Sequence, residues 1–161
     1  MKGDHHLNIY NILFPAESDF VGWVQFATLT KDKRMVSLGY SDFEHIEEEY
    51  LATIDSLNWP DGVELPKKLE NEDTGASFQV GYGETRASNL WEYSWMKEWL
   101  DTYNTNPERA EKALEELEKA FDMPYMGKDR CDDATRNYLR ENIDKAKLGD
   151  PSGFRECIDV D

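Results

Sequence analysis

Three tryptophans spaced four residues apart constrain this chain more than anything else in it. Within Asn89 to Tyr103 (NLWEYSWMKEWLDTY), Trp91, Trp95 and Trp99 recur every four residues, and Met96, Leu100 and Tyr103 share their side. Residues three and four apart are neighbours on a helix, so this spacing predicts an α-helix with its aromatics on one face. Ser94, Lys97, Glu98 and Asp101 make the other side. The apolar arc is wide, which predicts a helix gripped on more than one flank. Asn89 is the expected N-cap, and Glu92 three residues on would close a capping box. Aromatic side chains bury more area than any others, so the stripe is expected to be the spine of the core rather than an exposed binding ridge.

The remaining elements are read outward from that helix. Leu7–Phe14, Phe20–Thr30 and Arg34–Tyr40 are apolar or partly alternating runs separated by short turns, and they predict an antiparallel meander over 7–40. Ser41 with Glu44 suggests a capping box before a helix from Asp42 to Leu57, with Phe43, Ile46, Tyr50, Ile54 and Leu57 as its buried stripe. Asn58-Trp59-Pro60-Asp61-Gly62 stops it, and Val63–Gly75 is expected to be a long acidic loop. Ala76–Gly83 is expected to be a fourth strand. Asn106-Pro107 starts the next helix, which would bury Ala110, Ala113, Leu114, Leu117 and Phe121. Asp132 or Asp133 caps a last helix, and residues 149–161 are expected to form a loose tail, although its Phe154 and Ile158 could dock. The order predicts a single α+β domain over 1–161, an antiparallel sheet of about four strands covered by about four helices.

Aromatic residues make up 12% of the 161 residues, too many for a disordered acidic chain. No apolar run approaches the ~20 residues of a membrane span. MKGDHHLN at the N-terminus lacks an apolar signal region. Cys131 and Cys157 sit in polar contexts, which fits free thiols in a reducing cytoplasm; a single disulfide between them is the alternative.

Charge carries the functional expectation. The net charge is −16, and residues 41–80 alone hold eleven acids against two lysines. Such a field repels nucleic acids and membranes and attracts basic partners. Glu44, Glu48 and Asp55 fall on one side of the first helix over roughly 16 Å, a spacing of the order needed to imitate phosphates along a duplex. Glu47 and Glu49 add to that helix. Asp61, Glu64, Glu70, Glu72 and Asp73 extend the anionic stretch into the loop. The expected function is non-enzymatic inhibition of a nucleic-acid-binding protein by charge mimicry, with those ten residues as contacts and no cofactor. Small acidic proteins that block nucleases, restriction enzymes or CRISPR effectors are similar in composition. An immunity or antitoxin-type protein, acidic for the same reason but shaped to one toxin, is the first alternative. A solvated acidic face that only keeps the chain in solution is the bland one.

Paired carboxylates give a second alternative. Glu115-x-x-Glu118 and Glu141-x-x-Asp144 can hold magnesium from two adjacent helices. The spacing resembles that of the all-α MazG-type pyrophosphohydrolases over these two helices alone, and implies a magnesium-dependent nucleotide phosphohydrolase. Gly81-Tyr82-Gly83 lies between a strand and a helix, where backbone amides can hold an anion, although it matches neither dinucleotide nor Walker spacing. His5, His6 and His45 do not converge as metal ligands, and Glu70–Gly75 lacks the terminal glutamate of a calcium loop.

Overall fold

A computed structural model describes residues 39–158 of the chain. Among these residues the protein is dominated by five α-helices, with one two-stranded antiparallel sheet. Strand β1 (Tyr40–Ser41) pairs with β2 (Phe78–Gln79), Tyr40 opposite Gln79 and Ser41 opposite Phe78. The helices are α1 (Phe43–Ser56), α2 (Tyr82–Thr102), α3 (Pro107–Glu118), α4 (Asp133–Lys147) and α5 (Ser152–Ile158). Two 3-10 turns, Lys119–Asp122 and Pro124–Met126, link α3 to α4. The expected four-stranded sheet under a layer of helices is therefore corrected to a helix-dominated α+β fold. The meander expected over 7–40 lies outside the described residues except for its end, where Tyr40 enters β1. The expected strand 76–83 shrinks to two residues. The chain turns at Gly81, at φ +89°, and is already helical from Tyr82.

By internal contacts the chain forms two compact units. The first holds residues 39–57 and Glu64–Asn89; the second holds Asn58–Val63 and 90–158. In the first unit, α1 is capped by Asp42 rather than Ser41: the Asp42 carboxylate accepts the N–H of His45 at 3.1 Å. Ile46, Tyr50 and Ile54 are buried at the expected spacing, and Phe43 and Leu57 are half-buried. The start of α2 lies directly on α1. A Cβ at Gly83 would stand 1.9 Å from the carbonyl oxygen of Ile46, so only glycine permits this approach.

In the second unit the tryptophan stripe is the core. Trp91, Trp95 and Trp99 are each at most 2% exposed. Each buried aromatic of that size contributes about 1.5–3 kcal/mol. Their polar edges are satisfied: Trp91 and Trp95 both donate Nε1–H to the carbonyl of Asn58, at 2.8 and 3.0 Å. Trp99 stacks on Tyr103 and meets Phe154 of α5 edge-on, with ring centroids 4.5 and 5.4 Å apart. Phe154 and Cys157 are buried, so the tail that was expected to be irregular supplies a short core helix. Asn106 caps α3 and Asp132 caps α4, each accepting the N–H three residues on. Glu98 and Arg109 join α2 to α3 through a bidentate pair at 2.6 and 2.9 Å. Asn89 and Glu92 do not cap α2, as their spacing had suggested; both lie well inside the helix and are buried.

Candidate functional site

The carboxylates divide into those that face solvent and those the fold uses. On α1, Glu44, Glu48 and Asp55 are exposed, and among the described residues they make no ion pair with a lysine or arginine. No lysine or arginine occurs between Arg34 and Lys67, while eight acids do. His45 is the one basic side chain on that helix: the Asp42 carboxylate, 2.6 Å from its Nδ1, raises its pKa, with smaller pushes from Glu48 and Glu44. Glu64, Glu70 and Asp73 are also exposed in the first unit. Glu70 meets Lys68 at 3.0 Å, and Asp73 turns back to accept the N–H of Gly75. Asp61 is exposed but belongs to the second unit.

Three of the ten residues expected to make contacts are instead engaged internally. Glu47 accepts the N–H of Leu69 at 3.0 Å and so pins the long loop, whose Leu69 side chain is buried. Glu49 accepts the N–H of Gly81 with both oxygens, at 3.0 and 2.9 Å. Glu72, 11% exposed, pairs with Arg86 and accepts the Tyr82 hydroxyl at 2.9 Å. The glycine turn before α2 therefore does hold an anion, and that anion is the chain's own Glu49, at the end of the helix where the dipole favours negative charge.

The paired carboxylates of α3 and α4 do not form a metal centre. Glu115, Glu118, Glu141 and Asp144 are all exposed, and Glu118 forms an ion pair with Lys147. Lys147 also stands 4.0 Å from Asp144, which puts a cation where the bound metal would need to be. Among the described residues no group of three or more histidine, cysteine, aspartate or glutamate side chains is arranged to hold a metal ion. Cys131 and Cys157 are buried free thiols. Burial pushes the Cys131 thiol up and the Cys157 thiol to about 11, so both are held as protonated, unreactive groups.

Two features of the second unit had no clear sequence signal. One is Glu92, 1% exposed in the middle of the tryptophan helix. Burial raises its pKa to about 7, a rise only partly offset by the Tyr125 hydroxyl that donates to Oε1. Its second oxygen, Oε2, is buried without a partner. The 3-10 turn carrying Tyr125 supplies the hydroxyl that meets this carboxyl, and the phenol itself is shifted well above its ordinary range. The other feature is a groove of about 440 Å³ beside α3. Trp99, Tyr103, Ala110, Leu114 and Ala146 line it together with Glu111, Glu115, Glu118 and Lys147.

No protein-family model, curated protein or solved structure matches this chain. No helix among the described residues is long and apolar enough to cross a membrane.

Proposed function

We propose that this protein is a non-enzymatic acidic inhibitor whose α1 face occupies the basic, nucleic-acid-binding surface of another protein, such as a nuclease, a restriction enzyme or a CRISPR effector. The observation that carries this reading is the α1 stripe. Glu44, Glu48 and Asp55 lie within one narrow sector of the helix, all exposed, with no lysine or arginine on the element to neutralise them. The stripe runs roughly 16 Å at the rise of an α-helix. Lysines and arginines that ordinarily neutralise phosphates would meet carboxylates in their place, more sparsely than the one charge per about 3.4 Å of a single strand. Glu64, Glu70 and Asp73 supply further charge in the same unit. Glu47, Glu49 and Glu72 act indirectly, by fixing the loop and the start of α2 against α1. The long-range field of a −16 chain speeds encounter and makes binding salt-sensitive.

The test is a pull-down from extract of the native cell at low and high salt, with and without added duplex. Recovery of a nucleic-acid-binding protein at low salt, displaced by duplex and progressively lost as Glu44→Gln, Glu48→Gln and Asp55→Asn are combined, is the expected result. Unchanged recovery by the triple variant would remove α1 as the contact surface.

A further inference from the structure

We infer that Glu92 and Tyr125 form a pH-sensitive latch: ionisation of Glu92 releases the segment 124–131 from the tryptophan helix while the surrounding helices stay folded. The latch has a firm side and a loose side. Glu92 is carried by α2, a continuous helix of 21 residues, between Trp91 and Trp95, which are buried and bonded to Asn58. Tyr125 is carried by a three-residue 3-10 turn. Backbone bonds around it close over three or four residues: Met126 N–H to Met123 at 3.1 Å, then Gly127 to Pro124, Arg130 to Gly127 and Cys131 to Gly127, each at 2.9 Å. Such bonds hold a turn together without tying it to a neighbour, and short 3-10 pieces open at low cost. Side chains make the attachment. Tyr125 donates its hydroxyl to Glu92 Oε1, while Glu92 Oε2 is buried with no hydrogen-bond partner among the described residues. A neutral carboxyl tolerates that site. A carboxylate there sets a full charge against one donor, and water admitted by the departure of Tyr125 would solvate both oxygens.

Three titratable groups face Glu92 and feel its charge: Tyr125 on the turn, Cys131 before α4 and Cys157 on α5. Burial raises all three, so each is neutral at pH 7. Arg136 and Asp132 act in turn on Cys131, and Tyr138, Glu156 and Asn142 on Cys157. Arg136 of α4 donates to the carbonyls of Met126 and Cys131 and to Asp133, and it keeps its charge throughout this range. Burial holds the Glu92 carboxyl at about 7, against 4.5 for the same group in water. The closed form therefore keeps a proton that the open form gives up between those values. The open population rises about tenfold per pH unit across that window, about 300-fold in all, and levels off above it. The two cysteines report on the opening separately. Cys131 Sγ lies 3.6 Å from Met126 Sδ, within the segment that moves. Cys157 is held by Asn142 and Tyr138 of α4, at 3.5 and 3.7 Å, and stays covered.

The probe is N-ethylmaleimide, applied to the full chain without denaturant from about pH 5 to about pH 8, with the rate at each cysteine read by peptide mass spectrometry. The thiolate fraction of an uncovered thiol itself rises about tenfold per pH unit. The Cys131 rate should therefore climb about a hundredfold per unit below pH 7 and about tenfold per unit above it, with Cys157 far slower throughout. Glu92→Gln keeps an acceptor for Tyr125 and cannot ionise, so its Cys131 rate should follow the shallower slope at every pH. Slopes decide the comparison, so a variant of lower stability still gives an answer. Tyr125→Phe should raise Cys131 labelling near pH 5 by about tenfold or more and leave Cys157 covered. Equal rates at the two cysteines would mean that the whole unit unfolds and would overturn the inference. So would a common slope in parent and Glu92→Gln, a Tyr125→Phe chain whose Cys131 is as protected as the parent's, or a parent Cys131 that resists the reagent at the alkaline end.

Discussion

Glu49 and Glu92 both turn away from solvent, and their units receive them in opposite ways. In the first unit, Glu49 reaches across to Gly81 and takes its N–H on both oxygens, at the amino end of α2. There the carboxylate meets a backbone donor at the amino end of a helix, where the dipole favours negative charge. In the second unit, Glu92 is buried inside a helix, with the Tyr125 hydroxyl as a partner for one oxygen and no hydrogen-bond partner for the other among the described residues. Burial therefore favours the protonated form. The same side chain is thus a bracket in one place and a suppressed charge in the other, and the donors around it decide which.

The most damaging way to break this comparison is Gly83→Ala. The added Cβ would stand 1.9 Å from backbone, which cannot give way, so α2 must lift from α1 and Glu49 must lose Gly81. A loss of about 3 kcal/mol or more is expected, read as a lowered urea midpoint and weaker helical circular dichroism. The second effect concerns Glu92. Its folded pKa is about 7 against 4.5 in the unfolded chain, so the folded state holds the extra proton between those values. Stability therefore falls as pH rises through that window, and the cost above pH 7 is about 3 kcal/mol. Glu92→Gln should flatten this component: the difference between parent and variant, followed by tryptophan fluorescence in urea, should change by that amount between pH 4.5 and pH 8. A difference independent of pH would mean that Glu92 is charged throughout and the contrast with Glu49 is false.

Smaller effects sharpen the picture. Glu49→Ala should cost about 2 kcal/mol and speed hydrogen exchange at Gly81 before it affects the second unit. Combining Glu44→Gln, Glu48→Gln and Asp55→Asn should move stability by no more than about 0.5 kcal/mol per site, since these groups touch solvent alone. A large change in the triple variant would place the stripe among the structural carboxylates, with Glu47 and Glu49.

Where the signal was local, the sequence was legible. Asn106 and Asp132 cap the helices assigned to them, and the stripes of α1 and α3 are buried nearly as their spacing implied. The tryptophan face proved to be core for the same reason. Signals made by distant residues were not legible. Glu47 and Glu49 look like surface glutamates because their acceptor roles depend on Leu69 and Gly81, 22 and 32 residues away. Gly81-Tyr82-Gly83 reads as the end of a strand, since nothing local says that α1 backbone will lie against Gly83. Glu92 imitated the third residue of a capping box, and only the extra helical turns before Asn89 place it in the interior. Glu116 of α3 is 7% exposed and held by Lys119, another buried charge with no local signal in the sequence.

The shared carbonyl of Asn58 has a consequence for the order in which the molecule can be made. Asn58–Val63 belongs to the second unit, yet Glu64–Asn89, which belongs to the first, is threaded between it and the tryptophans. During synthesis the acceptor emerges 33 residues before the first of its two indole donors. The tryptophan helix can reach its final seat only after that intervening loop has closed, and closing a loop of this length costs entropy before any contact rewards it. No single cut frees the second unit intact. A fragment beginning at Leu90 keeps both indoles and loses their acceptor, leaving two buried N–H groups stranded in a hydrophobic core. Connectivity thus makes the maturation of one unit wait on the passage of chain through the other.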